Sequence, residues 1–307
     1  MRSQHVCILL AAFDGERFIR DQIDSIIKQT HSDWMLVVSC DPSNDRTPDL
    51  LTEICLENPE KDIRIVRGPG KGSTANFISM FDLVPDEASF VAFCDQDDVW
   101  LEDKLAYQVS LLEHEDEPTM ACGATFVANE DLSTMHLSLI PRRPPGFGNA
   151  LVQNIASGNT IMLNRGAFEC LQEAKHHLCT EIVHDWWCYL VVTAMGGRVI
   201  YDSHPLVLYR QHTNNQIGQS NDILSKVRRL KRLFLGDHRR RNDRIEESLV
   251  PLKDRFLDQN QEILDAFNQA RRSGTLRRLL AFGQTGVYRQ RRSSQMLLLL
   301  SFVLGKL

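Results

Sequence analysis

The chain has 307 residues, 43% of them hydrophobic, which is enough for one large domain or for two smaller domains of about 100 to 200 residues each. The net charge of −5 is unevenly distributed: residues 1–225 hold 16 Lys and Arg against 32 Asp and Glu, whereas residues 226–307 hold 19 against 8. A basic tail behind an acidic body indicates that the tail contacts an anionic surface. Composition does not distinguish three candidates for that surface: membrane lipid, nucleic acid and the acidic body itself.

Composition and spacing exclude several classes of protein. The eight cysteines include no Cys-x-x-Cys pair, so the sequence predicts neither a zinc site nor a disulfide framework, and a reduced, cytosolic compartment fits best. The apolar segment Val6–Ala12 is too short for a secretory signal and is typical of a first strand. The apolar run Met296–Leu300, which resumes at Phe302–Leu304, stays below the roughly 20 residues of a spanning helix. No transmembrane helix is expected.

The first hundred residues alternate between strand and helix patterns. The predicted strands are Val6–Ala12, Trp34–Ser39, Ile63–Val66 and Phe90–Cys94, and the predicted helices are Glu16–Gln29, Thr47–Leu56 and Thr74–Leu83. Such an alternating series predicts an α/β fold with a mostly parallel sheet.

The pattern is less regular after residue 98. A helix is expected near Leu101–Glu115, a strand at Ala121–Ala128 and another near Thr160–Asn164. The Pro- and Gly-rich loop Pro141–Gly148 is interpreted as a lid or wall on the substrate side. From about Ile223 the chain indicates basic helices without strands, so we expect an α/β domain over residues 1–222 and a basic helical appendage over residues 223–307.

The apolar run Phe90–Cys94 stops at three carboxylates, Asp95, Asp97 and Asp98. Like charges this close repel one another unless a cation intervenes, and a hard divalent metal prefers such oxygen ligands. Ligands of open α/β sheets bind beyond the carboxyl ends of strands. The alternative is a polar turn in which Asp97 or Asp98 caps a helix that begins near Trp100, but a cap needs only one carboxylate.

The turn after the second strand is also acidic, with Asp41 and Asp45 among small polar residues, and the loop Gly68–Gly72 is rich in glycine. In a sheet of the expected order these loops would open on the same crevice as Asp95, and a nucleotide fits that mixture of groups. The alternative for Asp41 and Asp45 is ordinary turn chemistry. Neither dinucleotide-binding nor P-loop glycine patterns occur, which argues against both chemistries.

Several segments together resemble family 2 glycosyltransferases of the GT-A fold, over about residues 5–215. They are the segment 6–16, the turn 41–45 and Asp95-Gln96-Asp97-Asp98-Val99-Trp100. Within this family the chain is most similar to rhamnosyltransferase-type members, through three further segments in the same order: Ser157-Gly158-Asn159-Thr160, His184-Asp185-Trp186-Trp187 and Tyr209-Arg210-Gln211-His212.

The resemblance implies a nucleotide-diphosphate sugar donor and a divalent cation, Mg²⁺ or Mn²⁺. Asp97 would bind the metal with His212 as a further ligand, and Asp95 would bind the ribose or a water on the metal. The remaining donor-site residues implied by the resemblance are Ala12, Asp14, Asp41, Lys71 and Arg210.

The resemblance further implies an inverting transfer in which Asp185 is the base. One carboxylate suffices to remove the proton of the acceptor hydroxyl as it attacks the anomeric carbon. The acceptor-side residues would be Ser157, Gly158, Asn159 and Trp186. The alternative is that Asp185 caps a helix that begins at Trp186.

Two further points remain open. Without the resemblance, Arg210 and His212 fit solvent-facing positions as well as they fit a binding site. Cys40 stands where the family commonly has a second acid. The nucleobase of the donor is therefore not fixed and could be uracil, thymine or guanine.

The basic tail alternates basic and apolar residues at helical spacing in Lys226–Leu235 and again in Arg277–Phe282. Such helices lie at the surface of anionic membranes, and each Lys or Arg contributes about 1 kcal/mol. The alternatives are helices docked on the acidic body or a dimer contact. No nucleic acid is expected as a partner, because no reader motif is present.

Two other functional classes fit parts of the sequence. Asp95, Asp97 and Val99 also fit the nucleophile segment of haloacid-dehalogenase-like phosphatases, with Asp237 and Asp243 as a later acidic loop, but three strands precede the segment here. A non-catalytic membrane-associated scaffold is the other. The sequence favours a metal-dependent glycosyltransferase on the cytoplasmic face of the membrane, acting on a glycan or lipid-linked acceptor in cell-surface polysaccharide synthesis.

Overall fold

The computed structural model describes residues 4–212 and 237–307. Eleven strands are found in this part of the chain: β1 (Val6–Ala12), β2 (Trp34–Cys40), β3 (Ile63–Arg67), β4 (Phe90–Cys94), β5 (Val99–Trp100), β6 (Thr119–Gly123), β7 (Phe126–Ala128), β8 (Met135–Leu137), β9 (Met162–Asn164), β10 (Arg198–Asp202) and β11 (Val207–Arg210). The helices of the first part are α1 (Ile19–Ile27), α2 (Thr47–Glu57), α3 (Ser73–Ser79), α4 (Lys104–Leu112), α5 (Phe147–Ala150), α6 (Arg165–Ala174) and α7 (His184–Ala194).

The central sheet has the strand order β3-β2-β1-β4-β9-β6-β10. All neighbours are parallel except β9, which runs antiparallel to both β4 and β6. The carboxyl ends of β1, β2 and β4 therefore meet at one edge, and the loops that follow them lie side by side. The predicted α/β fold with a mostly parallel sheet is confirmed.

Helices cover both faces of this sheet, which explains why its strands are continuously apolar. Successive side chains of a strand point to opposite faces. In β1, Val6, Ile8 and Leu10 pack with α1, α2 and α4, whereas Cys7 and Leu9 pack with α3, α6 and α7.

A second, smaller sheet has the order β5-β11-β7-β8. β5 follows directly after Asp98 and pairs antiparallel with β11 through Val99 and Leu208. This pairing brings the segment after β11, which contains His212, next to the acidic segment 95–98, although the two are more than a hundred residues apart in the sequence.

The C-terminal part forms α8 (Asp237–Leu249), α9 (Asp258–Arg272), α10 (Thr275–Ala281) and α11 (Arg292–Val303). Side chains such as Leu249, Phe267 and Phe302 belong to the same buried cluster as α7. The predicted boundary between residues 222 and 223 and the segment Lys226–Leu235 lie outside the described residues. None of the helices described here is both long and apolar enough to cross a membrane.

Two predicted elements differ from the structure. The expected strand Ala121–Ala128 is two strands, β6 and β7, which belong to different sheets. The helix expected from Leu101 begins at Lys104, because the residues before it extend to form β5. The residue at its N-cap is Asp103, so neither Asp97 nor Asp98 caps it.

Candidate active site

A cleft of about 1600 Å³ opens at the carboxyl ends of β1, β2 and β4. Its lining joins the carboxylates predicted for the donor side with the one predicted as the base: Asp14, Asp41, Asp95, Asp97 and Asp185. Ala12, Ser157, Gly158, Trp186 and His212 line the same cleft. The predicted residues are thus brought together from six separate stretches of the chain.

Asp98 is completely buried beneath the cleft. It accepts hydrogen bonds from Asn159 Nδ2 at 2.5 Å and from the backbone N of Arg210 at 3.0 Å. Burial raises the pKa of Asp98 well above its usual range, and the charges of Asp97 and Asp95 raise it further. The buried Asp98 carboxylate therefore connects the acidic segment to the 157–160 turn and to β11. The sequence did not predict this structural role.

Gln96 attaches the acidic segment to the loop after β1. Its Nε2 donates to Phe13 O at 2.9 Å, and its Oε1 accepts from Phe13 N at 2.8 Å. A Cβ on Gly15 would lie 2.3 Å from Gln96 Oε1, so a side chain at position 15 would push the Gln96 amide out of this position. The neighbouring Asp14 has a φ of 44°, an uncommon conformation for a residue with a side chain.

Asp41 organises the glycine-rich loop. Its Oδ1 accepts from Gly70 N at 2.7 Å, its own N donates to Ala12 O at 2.8 Å, and a Cβ on Gly68 would lie 2.3 Å from Oδ1. Lys71, predicted to contact the donor, is exposed and is not among the residues that line the cleft.

Asp45 shows the turn chemistry that was the alternative for it. Its carboxylate accepts from Thr47 Oγ1 at 2.5 Å and from the backbone N of Glu16 at 3.0 Å. These bonds fix the start of α2 against the loop after β1.

Asp97 and His212 lie side by side on the cleft wall, with His212 Nε2 and Asp97 Oδ2 2.8 Å apart. The His212 ring also packs on Phe18, with ring centroids 4.9 Å apart. Burial and the charges of Asp97 and Asp185 raise the pKa of Asp95 to about 8. A buried carboxylate whose ionisation is opposed further by like charges fits a site that receives a cation.

Arg210 has a different surrounding from the one predicted. Its guanidinium donates to Asp97 O at 3.0 Å, to Glu130 O at 2.6 Å and to Asp21 Oδ2 at 2.9 Å, and it lies 4.6 Å from the centroid of the Phe18 ring. The side chain is almost completely buried by these contacts. These hydrogen bonds hold Arg210 against the Asp97 segment, and its predicted contact with donor phosphates stays a prediction.

Asp185 lies in the first turn of α7, whose N-cap is Val183. Asp185 is thus inside the helix and is not its cap. Burial raises the pKa of Asp185 to about 6, although hydrogen bonds to Trp186 N, Asn154 and Gly158 act in the opposite direction. A carboxyl group with this pKa is ionised at neutral pH and can still accept a proton, as a general base must.

The 157–160 turn approaches α7 closely. A Cβ on Gly158 would lie 2.7 Å from His184 Nε2, so the turn requires glycine. His184 is buried and stacks on Phe77, with ring centroids 3.9 Å apart, and burial lowers its pKa to about 3. It is therefore a neutral packing residue. Asn159 is fully buried against Asp98 and supports the cleft wall from behind, whereas Ser157 and Trp186 line the cleft as predicted for the acceptor side.

The C-terminal part contributes cleft residues that the sequence did not reveal. Arg241 on α8 lies 4.6 Å from the centroid of the Trp186 ring, and Arg289, Gln290 and Arg291 line the cleft before α11. They belong to no recognisable motif. Their only signal was the excess of basic residues after position 225.

Comparison with known proteins agrees with this geometry. The profile of the family described as "Glycosyl transferase family 2" matches residues 7–171. The chain is 26% identical over 231 residues to "dTDP-rhamnosyl transferase RfbG" of Shigella flexneri, an alignment that covers 72% of this chain and 78% of that protein.

Two solved structures resemble the fold. The mannosyltransferase PcManGT from Pyrobaculum calidifontis, in complex with GDP-Man and Mn²⁺, has a TM-score of 0.54 at 17% identity and covers 98% of this chain and 85% of its own. Residues 1–349 of TarS from S. aureus, in complex with UDP-GlcNAc, have a TM-score of 0.56 at 11% identity and cover 98% and 90%. The chain therefore belongs to glycosyl transferase family 2 and is a glycosyltransferase of the GT-A fold.

Proposed function

We propose that the protein transfers a sugar from a nucleoside-diphosphate donor to a glycan or lipid-linked acceptor, with inversion at the anomeric carbon, during cell-surface polysaccharide synthesis. One observation carries this proposal: a buried carboxylate suited to act as base, Asp185, shares a single cleft with the acidic segment Asp95–Asp97 at the end of β4. The base and the carboxylates that would hold a cation beside the leaving diphosphate would therefore face the same reacting centre.

The chemistry needs only one proton transfer, from the acceptor hydroxyl to the protein. Asp185 would take the proton of the acceptor hydroxyl as that oxygen attacks, and Ser157 and Trp186 would orient the acceptor beside it. Inversion follows from a single displacement, for which one carboxylate suffices.

The donor side of the cleft fits a divalent cation, Mg²⁺ or Mn²⁺, with Asp97 and His212 as its protein ligands. When bound, such an ion stabilises the negative charge that develops on the departing diphosphate. Among residues 4–212 and 237–307, no group of three or more His, Cys, Asp or Glu side chains is arranged to hold a metal. The donor's own phosphate oxygens would therefore complete the ligand set.

The likeness to RfbG favours dTDP as the nucleotide and rhamnose as the sugar. In the loops around the donor, Asp41 and Asp14 would bind the nucleoside. Asp41 would contact the nucleobase alone, because Cys40 replaces the second acid that the family commonly has. The phosphatase alternative loses one of its requirements, because Asp243 forms an ion pair with Arg271 and is not among the cleft residues.

The location proposed is the cytoplasmic face of a membrane, with peripheral attachment. The helix α10 has no buried residue, and its Leu276, Leu279 and Leu280 are all exposed. Arg277 on the same helix and Arg292 at the start of α11 are exposed as well. Exposed leucines with arginines beside them suit the headgroup region of an anionic bilayer.

Isothermal titration with UDP, dTDP and GDP, each with and without Mn²⁺, tests the donor assignment. We expect one of the three, dTDP, to bind in the presence of Mn²⁺ and to bind much more weakly without it. If none of the three binds to the folded protein, the transferase assignment of this cleft is wrong, and the scaffold alternative gains support.

A further inference from the structure

Two partly buried arginines line the acceptor side of the cleft, and neither has an anionic partner in the described part of the chain. They are Arg241 on α8 and Arg289, which precedes α11. The Nε and Nη2 atoms of Arg241 and the Nε atom of Arg289 are buried and lack any hydrogen-bond partner in residues 4–212 and 237–307. Buried charges in folded proteins are normally paired and hydrogen-bonded, because an unpaired buried charge is strongly destabilising.

The two guanidinium groups also repel each other. Burial lowers the pKa of Arg241 to about 10, and the charge of Arg289 lowers it further. Burial lowers the pKa of Arg289 as well. An anion bound at these two groups would relieve both the repulsion and the missing hydrogen bonds.

The start of α11 adds a third source of positive potential at the same place. This helix of twelve residues has no side-chain cap and no acidic residue in its first turn, and its N-cap is Arg291. Ser293 and Ser294 of that turn line the cleft. A helix N-terminus favours negative charge, and here the chain places only arginine and serine beside it.

The position of the arginines relates them to the acceptor. Arg241 stacks on Trp186, the residue next to the proposed base. Leu297 and Leu298, one helical turn beyond Ser293 and Ser294 on α11, line the cleft as well and give it an apolar surface. A ligand that reaches from the base across the arginines would thus meet positive charge first and apolar surface afterwards.

We propose that Arg241, Arg289 and the first turn of α11 form a subsite for a phosphate or diphosphate group of the acceptor, and that Leu297 contacts an apolar group attached to it. This inference rests on the proposed function, because it assigns the subsite to the acceptor of that same reaction. A lipid diphosphate and a soluble phosphate ester share the recognised chemistry.

The experiment is isothermal titration of the full chain with inorganic diphosphate in EDTA, where metal-dependent donor binding is absent. We expect the wild type and Asp97→Asn to bind equally, and Arg241→Gln and Arg289→Gln to bind at least about tenfold more weakly, since each loses hydrogen bonds to a charged group. Arg240→Gln is the matched control, because Arg240 is the exposed neighbour on the same helix. Loss of binding in Asp97→Asn, or unchanged binding in both arginine variants, would overturn the subsite.

A second measurement does not depend on the ligand. Without diphosphate, Arg241→Gln should melt at a higher temperature than the wild type, because an unpaired buried charge is removed. A lower melting temperature would mean that Arg241 stabilises the fold through Trp186, which contradicts the proposal. Metal-dependent nucleotide binding is measured separately, so a failed subsite is distinguishable from a failed donor assignment.

Farnesyl diphosphate distinguishes the two ligand sources. If it binds more tightly than inorganic diphosphate, and Leu297→Ser removes the difference, the ligand is a lipid diphosphate. Equal affinities of the two probes identify a soluble phosphate ester and overturn the assigned contact with Leu297.

Discussion

Asp185 connects the stability of the protein with the chemistry proposed for its cleft. Its carboxyl group has a pKa of about 6 in the folded protein, above the ordinary value of 3.8, because burial disfavours the charged form. The unfolded chain therefore releases this proton at lower pH than the folded protein. Folding stability then decreases as the pH rises from about 4 to about 6, and the loss persists above that range.

Asp185→Asn should remove this penalty. At about pH 7.5 the variant should be more stable than the wild type by up to about 3 kcal/mol, since one pKa unit corresponds to about 1.4 kcal/mol. The difference should shrink at about pH 4.5, where the wild-type carboxyl group is mostly protonated in the folded state. Urea unfolding at both pH values measures it. A variant that is less stable at the higher pH would show that ionised Asp185 supports the fold.

The same residue predicts the pH dependence of transfer. If Asp185 is the base, kcat/KM should fall about tenfold per pH unit below about pH 6, and Asp185→Asn should lose transfer while keeping its affinity for the donor. Activity that stays constant down to about pH 5 would exclude Asp185 as the base.

For Asp97 we expect the replacement to affect donor binding, whereas for Asp185 it should affect only transfer. Asp97→Asn should abolish metal-dependent binding of the nucleotide, because the carboxylate beside His212 is the proposed ligand. Titration of both proteins with dTDP and Mn²⁺ tests this. Equal affinities in the two proteins would refute the assignment of the metal to Asp97.

Arg210 ties together three elements, namely the end of β11, the segment after β4 and α1. Arg210→Gln should destabilise the protein by about 3 kcal/mol, because two backbone carbonyl groups and the Asp21 carboxylate lose a charged partner. Arg64→Gln, which removes an exposed pair with Asp62, is the control and should change stability by less than about 0.5 kcal/mol. Equal urea midpoints for the wild type and Arg210→Gln would contradict this role.

The elements differ in how far the sequence could predict them. β1 and β4 were predicted to the residue, because strands buried on both faces are continuously apolar. β5 was missed because its two residues resemble a helix start, and only its pairing with β11 makes it a strand.

Site residues divide in the same way. Asp95 and Asp97 were predicted from the acidic segment after β4 and Asp185 from the family resemblance, and all three line one cleft. The surroundings of Arg210 and Asn159 were not predicted, since both side chains bond to groups distant in sequence. The same is true of Arg241, whose burial depends on how α8 packs against Trp186.

At the scale of the whole molecule, exposed leucines on α10 predict attachment to anionic membranes. The protein should sediment with vesicles of phosphatidylglycerol and not with vesicles of phosphatidylcholine. The double variant Leu276→Ser, Leu280→Ser should lose this binding, because these side chains are 72% and 71% exposed and are free to enter the headgroup region.

Leu56→Ser is the matched control for that double variant. Leu56 lies on α2 and is 76% exposed, so its replacement removes a comparable apolar group from another surface. If the control loses as much binding as the double variant, or if neutral vesicles bind equally well, the attachment does not run through α10.

The cleft has walls from two stretches of the chain that are far apart in sequence. The amide of Gln290 accepts from the backbone N atoms of Arg142 and Arg143 and so fixes the loop before α5 to the segment before α11. The carboxylates proposed for the donor all come from the first hundred residues. Substitutions after residue 237 can therefore reshape one wall while leaving the other intact. We therefore expect such substitutions to change which acceptor is used while the carboxylates proposed for the donor keep their positions.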